Sequence, residues 1–139
     1  MPNPFPFSVG AVLTAAQMNG IGEAATNYTP VVTAQTGTIT TYTAFGGYQI
    51  VNKLMRVWFN INITTNGTAA GFIRFTLPFA QTIRVYGAVV GGARESGVNG
   101  NFNQCWTETS TTICITTPTN GYPAGTGYQL NGTVLVELP

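Results

Sequence analysis

Residues 57–64 read VWFNINIT, with Val57, Phe59, Ile61 and Ile63 on one face and Asn60, Asn62 and Thr64 on the other. A strict period of two over this length is the pattern of a strand with one buried face, and a helix cannot present it. The period returns in IRFTL, where Ile73, Phe75 and Leu77 point inward and Arg74 and Thr76 outward. It returns again in YQLNGTVLVEL, where Tyr128, Leu130, Val134, Val136 and Leu138 keep step. Between these runs stand FGGY, TNGTAAG, GGARESGVNGN and TPTNGYPAGTG, stretches whose glycine, asparagine and proline content reads as turns. Several punctuated strands with no second helix predict an all-β domain over residues 28–139, an antiparallel β-sandwich or jelly roll.

The first 27 residues follow a different grammar and read as an N-terminal attachment arm and short helix. Prolines at positions 2, 4 and 6 restrict residues 1–8 to an extended arm. In GAVLTAAQMNGIG, Thr14 is suited to cap a helix and Gln17 completes a capping box. Leu13 and Met18 have the spacing of a hydrophobic staple, and Gly20 or Gly22 supplies the left-handed stop. About two turns of helix are not stable alone, so this one must dock. Its apolar residues Val12, Leu13, Met18 and Ile21, with Phe5 and Phe7 of the arm, are the candidate contacts. Docking on a neighbouring subunit and folding back to plug its own domain are the two alternatives.

Charge narrows the function classes. Charged residues make up 6% of the chain, against about 25% in typical soluble domains. Lys53, Arg56, Arg74, Arg84 and Arg94 face Glu23, Glu95, Glu108 and Glu137, and there is neither Asp nor His. A net charge of +1 with no basic cluster gives no footprint for nucleic acid. The apolar runs are too short for a membrane span, and the proline-rich start lacks a signal-peptide charge. Without His, neither a Ser-His-Asp nor a Cys-His arrangement can be built, and no plausible zinc ligand set exists. Glu95 and Glu108 are the only carboxylates beside long loops, and they read as solvated. No cofactor or catalytic role is expected. A surface so poor in charge suits a subunit covered by neighbours better than a solitary monomer.

Two further features leave alternatives open. A hairpin turning on Thr109-Ser110 would set Glu108 opposite Thr111 and Cys105 opposite Cys114, close enough for a cross-strand disulfide. The other reading is two reduced thiols packed as small hydrophobes. Trp58, Trp106, Tyr86, Tyr122 and Tyr128 lie among Asn and Thr, a mixture suited to stacking on sugars. Trp106 and Tyr122 are the candidate residues for a glycan or partner surface, although a tryptophan inside a strand also suits core or subunit contact.

The chain resembles a family of short virion proteins of tailed bacteriophages. The resemblance rests on FSVGAVLTAAQMNGIGEA, whose Gly10, Val12, Leu13, Thr14, Ala15, Ala16, Met18 and Asn19 are similar to the family's N-terminal core. It extends through YTPVVT at Tyr28, YQIVNKLMRVWFNINI, GFIRFTLP and the closing YQLNGTVLVEL. Asn52 stands where the family more often has glycine. The resemblance implies a non-enzymatic virion structural protein, assembled in the host cytoplasm as a homotrimer and attached through its N-terminal segment to the major capsid protein or to tail proteins. Capsid decoration or cementing is one placement. A tail-tip or short-fibre knob touching host glycans is the other.

Overall fold

The structure, a computed structural model, describes residues 24–51 and 53–139, together with Val12, Thr14 and Ala15. Of the expected N-terminal helix and arm, Phe5, Phe7, Leu13, Met18 and Ile21 lie outside the described residues, as does Asn52. Among the described residues nine strands follow in order: β1 (Thr26–Tyr28), β2 (Val32–Thr36), β3 (Thr41–Val51), β4 (Leu54–Thr65), β5 (Ala70–Thr76), β6 (Val89–Glu95), β7 (Phe102–Thr107), β8 (Thr112–Thr116) and β9 (Tyr128–Glu137). All pair antiparallel in a sheet of order β1-β3-β4-β9-β6-β7-β8-β5-β2.

β1 and β2 form the two margins of the sheet, yet only residues 29–31 separate them in the chain. The sheet must therefore curl until its margins approach. The Tyr42 hydroxyl on β3 accepts the Val32 N–H on β2 at 3.1 Å across that seam. The result is an all-β, sandwich-like body. Phe59 on β4 and Phe75 on β5 are not sheet neighbours, but their rings meet across the interior with centroids 4.4 Å apart.

The alternation read from the sequence is the alternation of burial. Val57, Phe59, Ile61 and Ile63 are buried, as are Ile73, Phe75 and Leu77. Leu130, Val134 and Val136 close the core from β9, with Tyr128 and Leu138 half-buried. Each fully buried side chain of this size stabilises by about 1.5–3 kcal/mol relative to exposure.

Three expectations need correction. FGGY is the middle of β3, and GGARE belongs to β6. Backbone carbonyls of Trp58 and Thr133 occupy the space of a side chain at Gly46 and Gly91, and aromatic rings occupy it at Gly47 and Gly92. A Cβ on Gly47 would lie 2.0 Å from the Trp58 ring, and one on Gly92 would lie 2.3 Å from the Phe102 ring. On the inner face, Phe59 lies across Gly132 in the same way.

The β7–β8 hairpin turns on three residues, 109–111, and both the Glu108 and Thr109 N–H groups reach the Thr112 carbonyl at 3.3 Å. The additional turn residue moves the register by one. Cys105 therefore pairs with Ile115, and Trp106 with Cys114. Because strand side chains alternate in direction, the two cysteines point to opposite faces of the sheet. Both are buried free thiols.

Candidate functional site

Strand direction gives the body two unlike ends. At one end lie the four loops 37–40, 66–69, 96–101 and 117–127, which carry no charged residue. Hydrogen bonds knit them together. Thr68 N–H reaches the Thr38 carbonyl at 3.1 Å, and Asn66 N–H reaches Thr126 Oγ1 at 3.0 Å. The Tyr122 hydroxyl donates to Asn66 Oδ1 at 2.5 Å, and Asn99 Nδ2 donates to the Tyr128 hydroxyl at 3.2 Å. Burial pushes the Tyr122 phenol up to about 12.

Glu95, expected to be solvated, is fully buried beneath the 96–101 loop. Its Oε1 accepts N–H groups of Gly97, Val98 and Gln129 at 2.5, 2.9 and 3.2 Å. Its Oε2 accepts those of Asn99, Val98 and Gly100 at 2.6, 3.0 and 3.1 Å. Burial alone would raise this carboxyl, but the amides of Asn99, Gln129, Gly97 and Gly100 outweigh it and hold the group at about 2. The charge is consumed inside the fold, as the anchor of a loop. The sequence signal was an acid ending a strand just before a glycine-rich run, where several N–H groups can converge on one anion.

Glu108 lies beyond the other end of β7, about 20 Å from Glu95 at the rise of an extended strand. It is bound by Arg74, whose Nε approaches both carboxylate oxygens at 2.7 Å. Arg74 lowers the Glu108 carboxyl through that hydrogen bond, and Glu108 raises the guanidinium. The guanidinium also stands 4.8 Å over the Phe72 ring, and Phe72 meets Trp106 edge-on at 5.3 Å. Trp106 is thus engaged in an outer-face cluster over Cys114, while Tyr122 is tied to Asn66. Desolvation raises both thiols, that of Cys105 to about 12.

The opposite end gathers large apolar side chains beside Lys53, Arg84, Glu108 and Glu137. Val51, Leu54, Phe79, Val85, Tyr86, Val89 and Leu135 are all large and exposed, and all lie where β3 and β9 finish, where β4 and β6 begin, or in the 77–88 segment that joins β5 to β6. A shallow cavity of about 190 Å³ opens there, lined by Ile83, Val85, Ala88, Val90, Leu135 and Val136. Arg84 Nε donates to Glu137 Oε2 at its rim, at 2.6 Å. The chain enters β1 at this same end, because Thr26 pairs with Tyr48 near the finish of β3. Val12 is 89% exposed.

A third surface is the outer face of β3, β4, β9, β6 and β7. The register builds two rows across these strands. One row is Phe45, Asn60, Asn131, Arg94 and Phe102. The next is Gly47, Trp58, Thr133, Gly92 and Gln104. The Trp58 ring lies across Gly47 and the Phe102 ring across Gly92, about 14 Å apart at three interstrand spacings. Between them Asn60 donates to Asn131, and Asn131 donates to Ser96 Oγ at 2.6 Å. Phe45 and Phe102 are 62% and 63% exposed. Sequence reading placed Trp58 among the aromatics but did not find its partners, because Phe102 and Arg94 reach this face only through the unpredicted strand β6. Comparison with protein families, with curated proteins and with solved structures gave no match to this chain.

Proposed function

We propose that this chain is a non-enzymatic structural subunit of a tailed-phage virion, a homotrimer that decorates or cements the capsid and is held by its N-terminal segment together with the end of the sandwich that gathers these apolar side chains. The observation that carries the reading is the gathering of seven large exposed apolar side chains at the end where the chain enters β1. Large exposed apolar side chains gathered at one end are a mark of protein–protein contact. The opposite end, charge-free and laced by Asn, Thr and Tyr hydrogen bonds, then faces outward. Glu95 is committed to a loop and Glu108 to Arg74, which supports a role without acid–base chemistry. The phage setting and the trimer rest on the sequence resemblance.

A specific observation favours the second placement, a tail-tip or short-fibre knob. The flat aromatic rings of Trp58 and Phe102 flank side-chain amides, an arrangement suited to glycans. Two measurements test the proposal. Quantitative mass spectrometry of purified virions should give about as many copies of this chain as of the major capsid protein, whereas a handful per particle transfers the role to the tail. A chain lacking residues 1–23, or one carrying Val85→Asp and Leu135→Asp, should fold yet fail to join particles. Normal incorporation of both variants would refute attachment through this end.

A further inference from the structure

We propose that the outer face of β3, β4, β9, β6 and β7 binds an acidic, carboxylated oligosaccharide. Trp58 and Phe102 would stack on its rings, and Arg94, assisted by Arg56, would hold its carboxylates. This inference rests on the same rings and amides as the glycan-contacting second placement and names its sugar class; its failure would leave the capsid placement standing.

The argument begins with the two glycines. A ring lying across Gly47, and another across Gly92, are each set down on the sheet where a Cβ would have lifted them away. Stacking on a pyranose needs an exposed aromatic face, and the two glycines let these rings approach the sheet closely. Phe45 extends the platform beyond β4. The strip between the rings is polar without being charged. Asn60, Asn131 and Ser96 form a chain of side-chain hydrogen bonds that fixes the amide orientations, and Asn62 and Gln129 continue the amide rows one step further along the strands. Amides and hydroxyls fixed beside aromatic rings suit sugar hydroxyls better than an apolar partner, which would leave those groups unpaired.

Charge selects the class of sugar. Arg94 is exposed in the row between Asn131 and Phe102, and Arg56 is exposed two residues from Trp58 on the same face. Among the described residues, the ion pairs use Arg74 with Glu108 and Arg84 with Glu137, and none uses Arg94 or Arg56. The row holding Arg94 and the row holding Trp58 contain no carboxylate. A guanidinium in such surroundings suits an incoming carboxylate, which it can hold through two parallel hydrogen bonds. A neutral glycan would use the rings and amides and leave both cations idle.

The test is calorimetric titration of the full chain with tetragalacturonate. Maltotetraose serves as a neutral sugar of equal length, and tetraglutamate as a carboxylated chain without sugar rings. Tetragalacturonate should bind, and each control should bind at least about tenfold more weakly. Arg94→Gln should weaken tetragalacturonate by about tenfold without altering the response to maltotetraose. Phe102→Ala should weaken both sugars by a similar factor. Both variants are at exposed side chains and should fold, which circular dichroism checks, whereas Trp58→Ala also removes packing on Gly47. Absence of heat with tetragalacturonate up to about 10 mM overturns the proposal. So does equal binding of tetraglutamate, or affinity unchanged in both variants. Equal affinity for maltotetraose overturns the role given to Arg94.

Discussion

Glu95→Gln isolates what one buried charge does for this fold. The substitution keeps the shape of the side chain and removes its charge, and one carboxylate oxygen becomes an NH₂ group facing backbone donors. If the amide nitrogen replaces Oε2, the N–H groups of Asn99 and Gly100 lose their acceptor. Two routes give the magnitude. Holding a carboxyl at about 2 rather than 4.5 favours the charged form by about 3 kcal/mol. Independently, leaving two buried donors unpaired costs about 1–3 kcal/mol for each group. The cover over Glu95 is only one loop thick, so water beyond it screens part of the effect, and a loss of about 2–3 kcal/mol is expected at pH 7.

The pH dependence has a definite sign. A depressed carboxyl contributes its full stability above the unfolded value near 4.5 and loses it as pH falls toward about 2. Urea unfolding of the native chain and the variant, followed by tryptophan fluorescence at pH 7 and at pH 3, measures both quantities. The gap between the two proteins should be widest at pH 7 and narrower at pH 3. A gap below about 0.5 kcal/mol at pH 7, or one that does not narrow with acid, would refute the loop-anchor reasoning.

Other perturbations follow from the same geometry. Asn103 is buried with neither side-chain amide atom hydrogen-bonded among the described residues, so Asn103→Leu should raise urea stability by about 1–2 kcal/mol. Gly91→Ala would set a Cβ 2.1 Å from the Thr133 carbonyl oxygen, whereas Gly92→Ala meets the movable Phe102 ring and comes no nearer than 3.3 Å to a backbone atom, the Asn103 carbonyl oxygen. The first should cost more than about 3 kcal/mol in thermal or urea unfolding, and the second less, about 1–2 kcal/mol, because the exposed ring can swing aside. Cys105 and Cys114 point to opposite faces as buried, raised-pKa thiols. Ellman's reagent should therefore find them unreactive until the chain unfolds, and mild oxidation should form no bridge between them.

The sequence made the core legible wherever an alternating run stood clear of glycine. β4, β5 and β9 were readable in VWFNINIT, IRFTL and YQLNGTVLVEL because branched and aromatic side chains recur there every second residue. β6 was hidden because Gly91 and Gly92 look like punctuation, and their purpose is visible only once Phe102 and Val134 are seen beside them. The same concealment affected the candidate face, since Arg94 and Phe102 meet Trp58 through that strand. The hairpin register failed for a local reason. Thr109, Ser110 and Thr111 carry no glycine to choose between a two- and a three-residue turn, and one residue is enough to reverse every side chain. Glu95 was misjudged because its partners are backbone groups, which have no signature in a list of side chains.

The pairing of β4 with β9 has a consequence for how the chain is made. Ile61 lies opposite Leu130 and Met55 opposite Val136, so a long ladder near the middle of the sheet joins distant parts of the chain. During synthesis β3 and β4 can close as a hairpin at once, but the other edge of β4 must wait while residues 66–127 emerge. Pairings of this span slow folding, and an open apolar edge held for that time invites pairing with the same edge of another copy. The vulnerable interval is translational: yield in the cell will depend on how soon β9 arrives as well as on the stability of the finished sandwich.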